Sequence, residues 1–147
     1  MFGTMVVGTD GSETALQAVR EAADLAIELG AVVHLVSAYE PVANQRLQEE
    51  RESIPPDLEW LINPREDVRA ALEDAAEQLR ARDLTVETHP REGDPADAIL
   101  DVAEEQQAQL IVVGNKGMSG AKRFLLGSVP NKISHHAPCS VLIIRTT

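Results

Sequence analysis

The chain has 147 residues, a length that suits one domain with a single sizeable hydrophobic core. Its formal net charge of −11 argues against nucleic-acid backbones and anionic membranes as partners, because like charges repel. Aromatic residues make up only 3% of the sequence, which leaves no stacking platform for single-stranded nucleic acids.

The sequence also indicates where the protein works. No apolar run approaches the roughly 18 residues of a membrane span. The N-terminal stretch MFGTMVVGTDGS lacks the basic region and the cleavage pattern of a signal peptide. Cys139 is the single cysteine, so no internal disulfide can form. We therefore expect a cytoplasmic protein.

The first part of the chain predicts two buried strands with a helix between them. Residues 5–8 and 32–39 are short apolar runs rich in β-branched side chains, which is typical of buried strands. Residues 13–29 carry apolar side chains at helical spacing, and Gly30 follows them as a helix-ending glycine. The chain is therefore expected to begin as a β-α-β unit.

Residues 41–63 interrupt this pattern. Their prolines and the polar run 45–52 predict a mobile excursion from the single domain 1–147, because about 24 residues cannot bury a core of their own. We expect Trp60 to anchor this excursion to the body of the protein or to a partner subunit, in preference to contacting a ligand.

The rest of the chain alternates helices and strands. The pattern predicts a helix over 65–82, a strand over 84–89, a helix from Asp94–Pro95, a strand over 110–113, a helix over 128–136 and a strand over 139–145. The strand over 84–89 alternates apolar and polar side chains, so it is expected to lie half-exposed at a sheet edge.

The element order β-α-β-α-β-α-β-α-β is typical of the α/β class. It predicts a doubly wound, five-stranded parallel sheet with helices on both faces. If the strand order is 3-2-1-4-5, the winding reverses between the first and fourth strands, where ligands bind beyond the strand ends. That order would place Gly8, Thr9 and Asp10 beside Val113 and Gly114.

A glycine-rich stretch follows the fourth strand with the spacing G-x2-G-x9-G-S, at Gly114, Gly117, Gly127 and Ser128. Glycines let the backbone approach an anion, and a helix N-terminus directs N–H groups toward it. The spacing differs from the Walker and Rossmann patterns. An ordinary strand-to-helix connection remains an alternative interpretation.

Three cations lie in this stretch of an otherwise acidic chain, namely Lys116, Lys122 and Arg123. Their clustering favours a small anionic ligand over a charged polymer. The pattern does not say which of them contacts a phosphate, and solvated loop charges are the alternative interpretation.

The last strand predicts a dimer. Residues 141–144 are too apolar to form an open sheet edge in water. Pairing of the strand 139–145 with the same strand of a second copy would cover that edge, so we expect a two-fold homodimer.

Taken together, these features resemble the universal stress protein family over nearly all of the chain. The similarity is carried by the opening VVGTDGS, the strand end SAY, the Asp-Pro helix start and, most specifically, the segment VVGNKG…LLGSV. In this family the G-x2-G-x9-G-[ST] pattern marks the branch that binds ATP, and the pattern is intact here. One mycobacterial branch binds cyclic AMP, and the same segments are compatible with that branch.

The resemblance implies a set of contacts to an adenine nucleotide. By position they are Asp10 near the ribose and a metal ion such as Mg2+, Gly8 and Thr9 flanking Asp10, Ala38 meeting adenine through its backbone, Val113 and Gly114 along the nucleotide, and Gly117, Gly127, Ser128 and Val129 at the phosphates.

Some of these residues also have purely structural interpretations. Asp10 or Ser12 could cap the first long helix, and Ser128 could cap the helix that it begins. His34 and His89 lie on predicted strands without apparent partners, and Asp10 is the one metal ligand that the resemblance implies.

The resemblance predicts an ATP-binding, dimeric sensor or regulator of a stress response, with cyclic AMP as the alternative ligand. Nucleotide binding would order the 116–126 loop and the 41–63 excursion. The sequence contains no Walker lysine and no arranged nucleophile and base, so we expect at most slow ATP hydrolysis. A weak ATPase and a nucleotide-free interaction protein are the rival interpretations.

Overall fold

The computed structural model describes residues 2–39, 64–115 and 126–146. Within these residues the chain forms five strands and four helices. In chain order they are β1 (Thr4–Gly8), α1 (Glu13–Leu29), β2 (Val32–Tyr39), α2 (Pro64–Arg80), β3 (Val86–Glu92), α3 (Pro95–Glu105), β4 (Leu110–Gly114), α4 (Ser128–His136) and β5 (Ser140–Ile144). The predicted excursion over 41–63, with Trp60, lies outside the described residues.

The strands form one sheet in the order β3-β2-β1-β4-β5. All neighbouring pairs are parallel. The central strand β1 pairs through Val7 with Leu35 of β2 on one side and with Val112 of β4 on the other. This is the predicted doubly wound fold, and its winding reverses between β1 and β4 as expected.

Alternate side chains of the central strands enter two separate core layers. On one face Met5 and Val7 pack with residues of α1 and α2. On the other face Val6 packs with residues of α3 and α4. Strand alternation therefore divides the core, and helices lie on both faces of the sheet as predicted.

The helix ends follow local sequence signals. Ser12 caps α1, because its Oγ accepts a hydrogen bond from the N–H of Ala15 at 3.2 Å. Gly30 ends the same helix in the left-handed region at φ 65°. Asp94 caps α3, accepting from the N–H of Asp97 at 3.0 Å. Of the two caps considered for the first helix, Ser12 is therefore the correct one.

The third strand begins and ends later than predicted. It spans Val86–Glu92 rather than 84–89, because it continues through Pro90. Proline lacks a backbone N–H, which a strand tolerates at the edge of a sheet, where one side of the backbone needs no partner. The edge position and the partial exposure of β3 are as predicted.

β5 forms the opposite edge of the sheet and spans Ser140–Ile144. Val141 and Ile143 pack partly against the α3–α4 layer. Leu142 remains 37% exposed. Pairing of this edge with a second copy stays a prediction. None of the described helices is long and apolar enough to cross a membrane.

Candidate functional site

A cleft of about 350 Å³ opens where the winding of the sheet reverses. Its lining residues are Gly8, Thr9, Asp10, Ala15, Val36, Ser37, Ala38, Pro95, Ile99, Val113, Gly114, Gly127, Ser128, Val129 and Pro130. They come from the carboxyl ends of β1, β2 and β4 and from the N-terminal parts of α1, α3 and α4. The volume lies within the range of small-molecule sites, about 300–1,000 Å³.

Most of the predicted site residues meet at this cleft. Those that line it are Gly8, Thr9, Asp10, Ala38, Val113, Gly114, Gly127, Ser128 and Val129. Gly117 lies outside the described residues, as do Lys116, Lys122 and Arg123. The structure therefore brings together residues that the sequence separates, whereas their roles toward a ligand stay predictions.

Gly8 lines the cleft at a point where an added side chain would require Ile99 to shift. A Cβ at this position would collide with Cδ1 of Ile99 and would lie 3.3 Å from Cγ1 of Val113. The absence of a side chain lets α3 pack directly on the end of β1. This close approach brings Pro95 and Ile99 to the cleft.

The turn between β1 and α1 forms a second wall. The N–H of Thr9 donates to the carbonyl of Val36 at 2.9 Å, which extends the pairing of β1 with β2. The exposed Asp10 accepts from the N–H of Ser12 through Oδ1 at 2.9 Å. A carboxylate accepts several hydrogen bonds, so Asp10 keeps capacity for a ribose hydroxyl or a cation.

The N-terminus of α4 forms a third wall. Gly127 is the N-cap and makes no side-chain cap hydrogen bond, so Ser128 is the first helical residue. The interpretation of Ser128 as an N-cap is therefore wrong. The first N–H groups of a helix lack intrahelical partners and lie at the positive end of its dipole. Ser128 and Val129 thus present an anion-binding element to the cleft.

Asn115 connects elements on either side of the 116–125 stretch by hydrogen bonds, a role that no sequence pattern predicts. Its carbonyl accepts from the N–H of Gly127 at 2.9 Å, and its own N–H donates to Ile144 at 2.9 Å. Its Oδ1 accepts from the N–H and the hydroxyl of Thr146 at 2.8 and 3.1 Å. The end of β4, the start of α4 and the end of β5 are therefore joined at one residue.

Lys132 connects the two helices that flank the cleft. Its Nζ lies 2.8 Å from Oδ1 of Asp97 and 3.3 Å from Oδ2 of Asp94. These hydrogen bonds, first that to Asp97, raise the pKa of Lys132. The pKa of Asp94 is lowered, mainly by the hydrogen bond from the N–H of Asp97. Lys132 is thus engaged by carboxylates of α3 rather than directed to the cleft.

Some lining residues were not found from the sequence. They are Ala15, Val36, Ser37, Pro95, Ile99 and Pro130. Val36 could have been found, because it precedes Ala38 by two positions along β2 and so faces the same side of the sheet. Spacing along the chain carries no comparable signal for how α3 packs against β1, and this packing brings Pro95 and Ile99 to the cleft.

The interpretation of His34 and His89 as residues without partners is wrong. Nδ1 of His34 lies 3.0 Å from Nε2 of His89 and 3.2 Å from Oε2 of Glu87. The parallel register places His34 opposite Glu87, and His89 opposite Val36. We call His34, Glu87 and His89 the histidine cluster. None of its members lines the cleft.

The fold and the cleft define a class of protein: a doubly wound α/β domain with a crevice lined by glycines and a helix N-terminus at its switch point. The chain belongs to the universal stress protein family, whose family model matches residues 1–145.

Individual relatives cover the chain almost completely. Universal stress protein Rv1636 of Mycobacterium tuberculosis is 39% identical over 149 residues, covering 99% of this chain and 98% of the relative. Universal stress protein YxiE of Bacillus subtilis is 34% identical over 150 residues, covering 99% and 100%.

Solved structures share the fold. A universal stress protein in complex with cAMP is 32% identical, with a TM-score of 0.73 and coverage of 99% of this chain and 98% of that one. The universal stress protein from Archaeoglobus fulgidus in complex with dAMP is 25% identical, with a TM-score of 0.64 and coverage of 98% and 99%.

Proposed function

We propose that this chain binds an adenine nucleotide in the cleft and acts as a dimeric sensor or regulator in a stress response. The observation that carries the proposal is the convergence of residues from β1, β2, β4 and α4 on one cleft at the switch point. Family membership and the solved relatives in complex with cAMP and dAMP support an adenine nucleotide as the ligand class.

Each wall of the cleft has a chemical counterpart in such a ligand. The N–H groups of Ser128 and Val129 would donate to phosphate oxygens, and Gly127 leaves room for the phosphate to approach. The backbone of Ala38 would meet adenine, with Val36 and Val113 as apolar neighbours. Asp10 would accept hydrogen bonds from the ribose.

ATP is the first candidate, because the G-x2-G-x9-G-S spacing of the family's ATP-binding branch is complete in the sequence. Mg2+ would accompany ATP, since one carboxylate together with phosphate oxygens is a common way for proteins to hold this ion. The exposed carboxylate of Asp10 fits that requirement.

Cyclic AMP is the second candidate, and one observation favours it. The solved structure at 32% identity is a complex with cAMP. The N–H groups of Ser128 and Val129 would donate to its cyclic phosphate as they would to the phosphates of ATP.

Calorimetric titration of the full chain with ATP–Mg2+ and, separately, with cyclic AMP tests the proposal. Gly127→Val should reduce binding at least about tenfold, because its side chain would stand beside the N-terminus of α4. The backbone at Gly127, with φ −60° and ψ 160°, is accessible to valine, so the variant should fold.

Gly3→Ala is the matched control at the opposite end of β1. A Cβ there would meet Oε1 of Gln109 at an ordinary 3.5 Å, so binding should be unchanged. Binding of one nucleotide alone would select between ATP and cyclic AMP. If neither nucleotide binds folded wild-type protein, the proposal is overturned and the glycine pattern serves only the fold.

The dimeric part of the proposal is supported by the open edge at β5. Leu142 on this edge is 37% exposed although it is apolar, and unpaired strand edges favour association. Leu142→Lys should shift the protein toward the monomer in sedimentation equilibrium. Ile27→Lys, at an apolar position of α1 that is 44% exposed, is the matched control and should not.

The proposal describes a binding protein and not an efficient enzyme. Phosphate release from ATP should be slow, and a rate well above that of Gly127→Val would favour the weak ATPase instead. A sensor role predicts slower hydrogen exchange at the backbone N–H groups of Ser128, Val129 and Asn131 when nucleotide is bound. The expected cytoplasmic location rests on the single cysteine and belongs to the proposal.

A further inference from the structure

The histidine cluster lies between the edge strand β3 and its neighbour β2, on the sheet face covered by α3. His34 precedes Val36 by two positions on β2, so the two side chains share the α3 face. Glu87 and His89 are likewise two positions apart on β3. The register of the two strands therefore brings two imidazoles and one carboxylate to the same place.

Three potential ligand atoms converge in this cluster. Nδ1 of His34 lies 3.0 Å from Nε2 of His89 and 3.2 Å from Oε2 of Glu87, and the latter two atoms are 4.0 Å apart. In a tetrahedral zinc site the ligand atoms lie about 3.3–3.5 Å apart, because each is about 2.0–2.2 Å from the ion. The three separations bracket that spacing, so only small side-chain adjustments are required.

The surroundings of Nδ1 of His34 also suit a cation. This atom faces both a carboxylate oxygen and another ring nitrogen. A proton on Nδ1 would have to be shared between these two acceptors. A divalent cation instead accepts a lone pair from all three atoms at once.

The cation nearest to the cluster is engaged elsewhere. Arg91, two positions after His89 on β3, is paired with Glu105 through two hydrogen bonds of 3.0 and 2.6 Å. Its guanidinium is therefore held by a carboxylate outside the cluster.

The cluster is also accessible to an ion from solvent. The side chains of His34 and His89 are 5% and 13% exposed, whereas that of Glu87 is 59% exposed. An ion would therefore contact one buried and one largely buried imidazole and would enter from solvent beside the carboxylate of Glu87. Three protein ligands leave a fourth position for water.

We propose that His34, Glu87 and His89 bind one divalent transition-metal ion of the zinc class and thereby fasten β3 to β2. This site goes beyond the proposed function and is independent of it. It lies outside the cleft, and it needs no nucleotide. The ion would act as a structural link at the edge of the sheet, with an exchangeable water on its solvent side.

The test uses the full chain, freed of metal with a chelator that is then removed by dialysis, and Zn2+ alone as the probe. Equilibrium dialysis with elemental analysis should give one Zn2+ per chain, and thermal unfolding should shift to higher temperature. Co2+ should produce the visible absorption of a four-coordinate ion. Glu87→Gln should weaken Zn2+ binding at least about tenfold, since the amide replaces a charged ligand.

Matched variants separate this site from other sites. Glu92→Gln removes the same charge from an exposed position on the same strand and should leave Zn2+ binding unchanged. A double variant of His135 and His136 to Gln removes the exposed histidine pair of α4 and should also leave it unchanged. His89→Gln should abolish binding.

Two results would overturn the proposal. One is the absence of stoichiometric Zn2+ binding by folded wild-type protein. The other is Zn2+ binding that Glu87→Gln and His89→Gln leave intact, whatever the effect of the His135 and His136 variant. Because the readouts are metal content and absorption in nucleotide-free protein, neither result bears on whether the cleft binds a nucleotide.

Discussion

The cleft and the histidine cluster lie on the same face of the sheet but are built differently. The cleft depends on main-chain groups and on glycines such as Gly8 and Gly127, so it requires close approach of backbones. The histidine cluster depends on three side chains that the β2–β3 register aligns. Substitutions that add a methyl group should therefore disturb the cleft, whereas pH and metal ions should affect the histidine cluster.

The largest effect is expected at Gly8. Gly8→Ala places a Cβ against Ile99 and should lower the free energy of unfolding by about 1–3 kcal/mol, as overpacking does. Urea unfolding measures this change. Gly3→Ala should cost less than about 0.5 kcal/mol. Ile99→Val in the Gly8→Ala background should restore part of the loss. A wild-type urea midpoint for Gly8→Ala would show that α3 does not approach β1 as described.

A smaller effect is expected at Asn115, where side chain and backbone both contribute. Asn115→Ala removes the acceptor for two hydrogen bonds from Thr146 and should cost about 1–2 kcal/mol. Asn115→Asp keeps an oxygen at that position and should lose less. Urea unfolding measures the loss of stability in both variants. An equal loss in both would mean that the side-chain oxygen at position 115 does not contribute to stability.

Two serines at the starts of helices allow a residue that stabilises the fold to be compared with a residue of the proposed ligand site. Ser12→Ala should cost about 1 kcal/mol of stability, because Ser12 caps α1. Ser128→Ala should change stability by less than about 0.5 kcal/mol, because Gly127 is the N-cap of α4. The variant keeps the backbone N–H of residue 128, so nucleotide binding should weaken only by the loss of the Ser128 hydroxyl as a donor to phosphate at the cleft. Ser134→Ala, later in α4, is the control for the calorimetric titration and should leave affinity unchanged.

The most gradual effect is expected from pH. Burial lowers the pKa of His34 and of His89. The neighbouring His34 and then Arg91 lower the pKa of His89 further, whereas Glu87 raises both values and Glu105 raises that of His89. The unfolded chain therefore binds protons that the folded chain does not. Stability contributed by this pair is present above the ordinary pKa of 6.5 and is lost as pH falls below it.

Urea midpoints of the metal-free chain between about pH 7.5 and 5.5 measure this slope. His89→Gln should flatten it, whereas a double variant of His135 and His136 to Gln should not. An unchanged slope in His89→Gln would mean that the histidine cluster titrates like exposed histidines.

The contrast between the two regions also explains what the sequence could predict. Strand order, helix positions and the meeting of Gly8 with Gly114 follow from hydrophobic periodicity and from the topology of doubly wound sheets. Glycine spacing is visible along the chain. A site built from backbone at strand ends is therefore accessible to sequence reasoning.

The histidine cluster was not accessible in this way. His34 and Glu87 are 53 positions apart, and their contact depends on the register of β3 against β2. Alternation of apolar and polar side chains indicates which residues share a face of β3, but it does not give the register between two strands. A shift of one residue would send the side chains of β3 to the opposite face of the sheet. Asn115 was missed for a related reason, since its partners lie on other elements.

The position of Asn115 has a consequence for the response of the proposed dimer. This residue holds Gly127 at the start of α4 and also Ile144 and Thr146 at the end of β5. A nucleotide bound at α4 and a partner chain paired with β5 would therefore contact two elements that Asn115 connects by hydrogen bonds. Linkage requires that nucleotide and dimerisation then alter each other's equilibrium by the same factor. The nucleotide level to which the protein responds would depend on how much of the protein the cell contains.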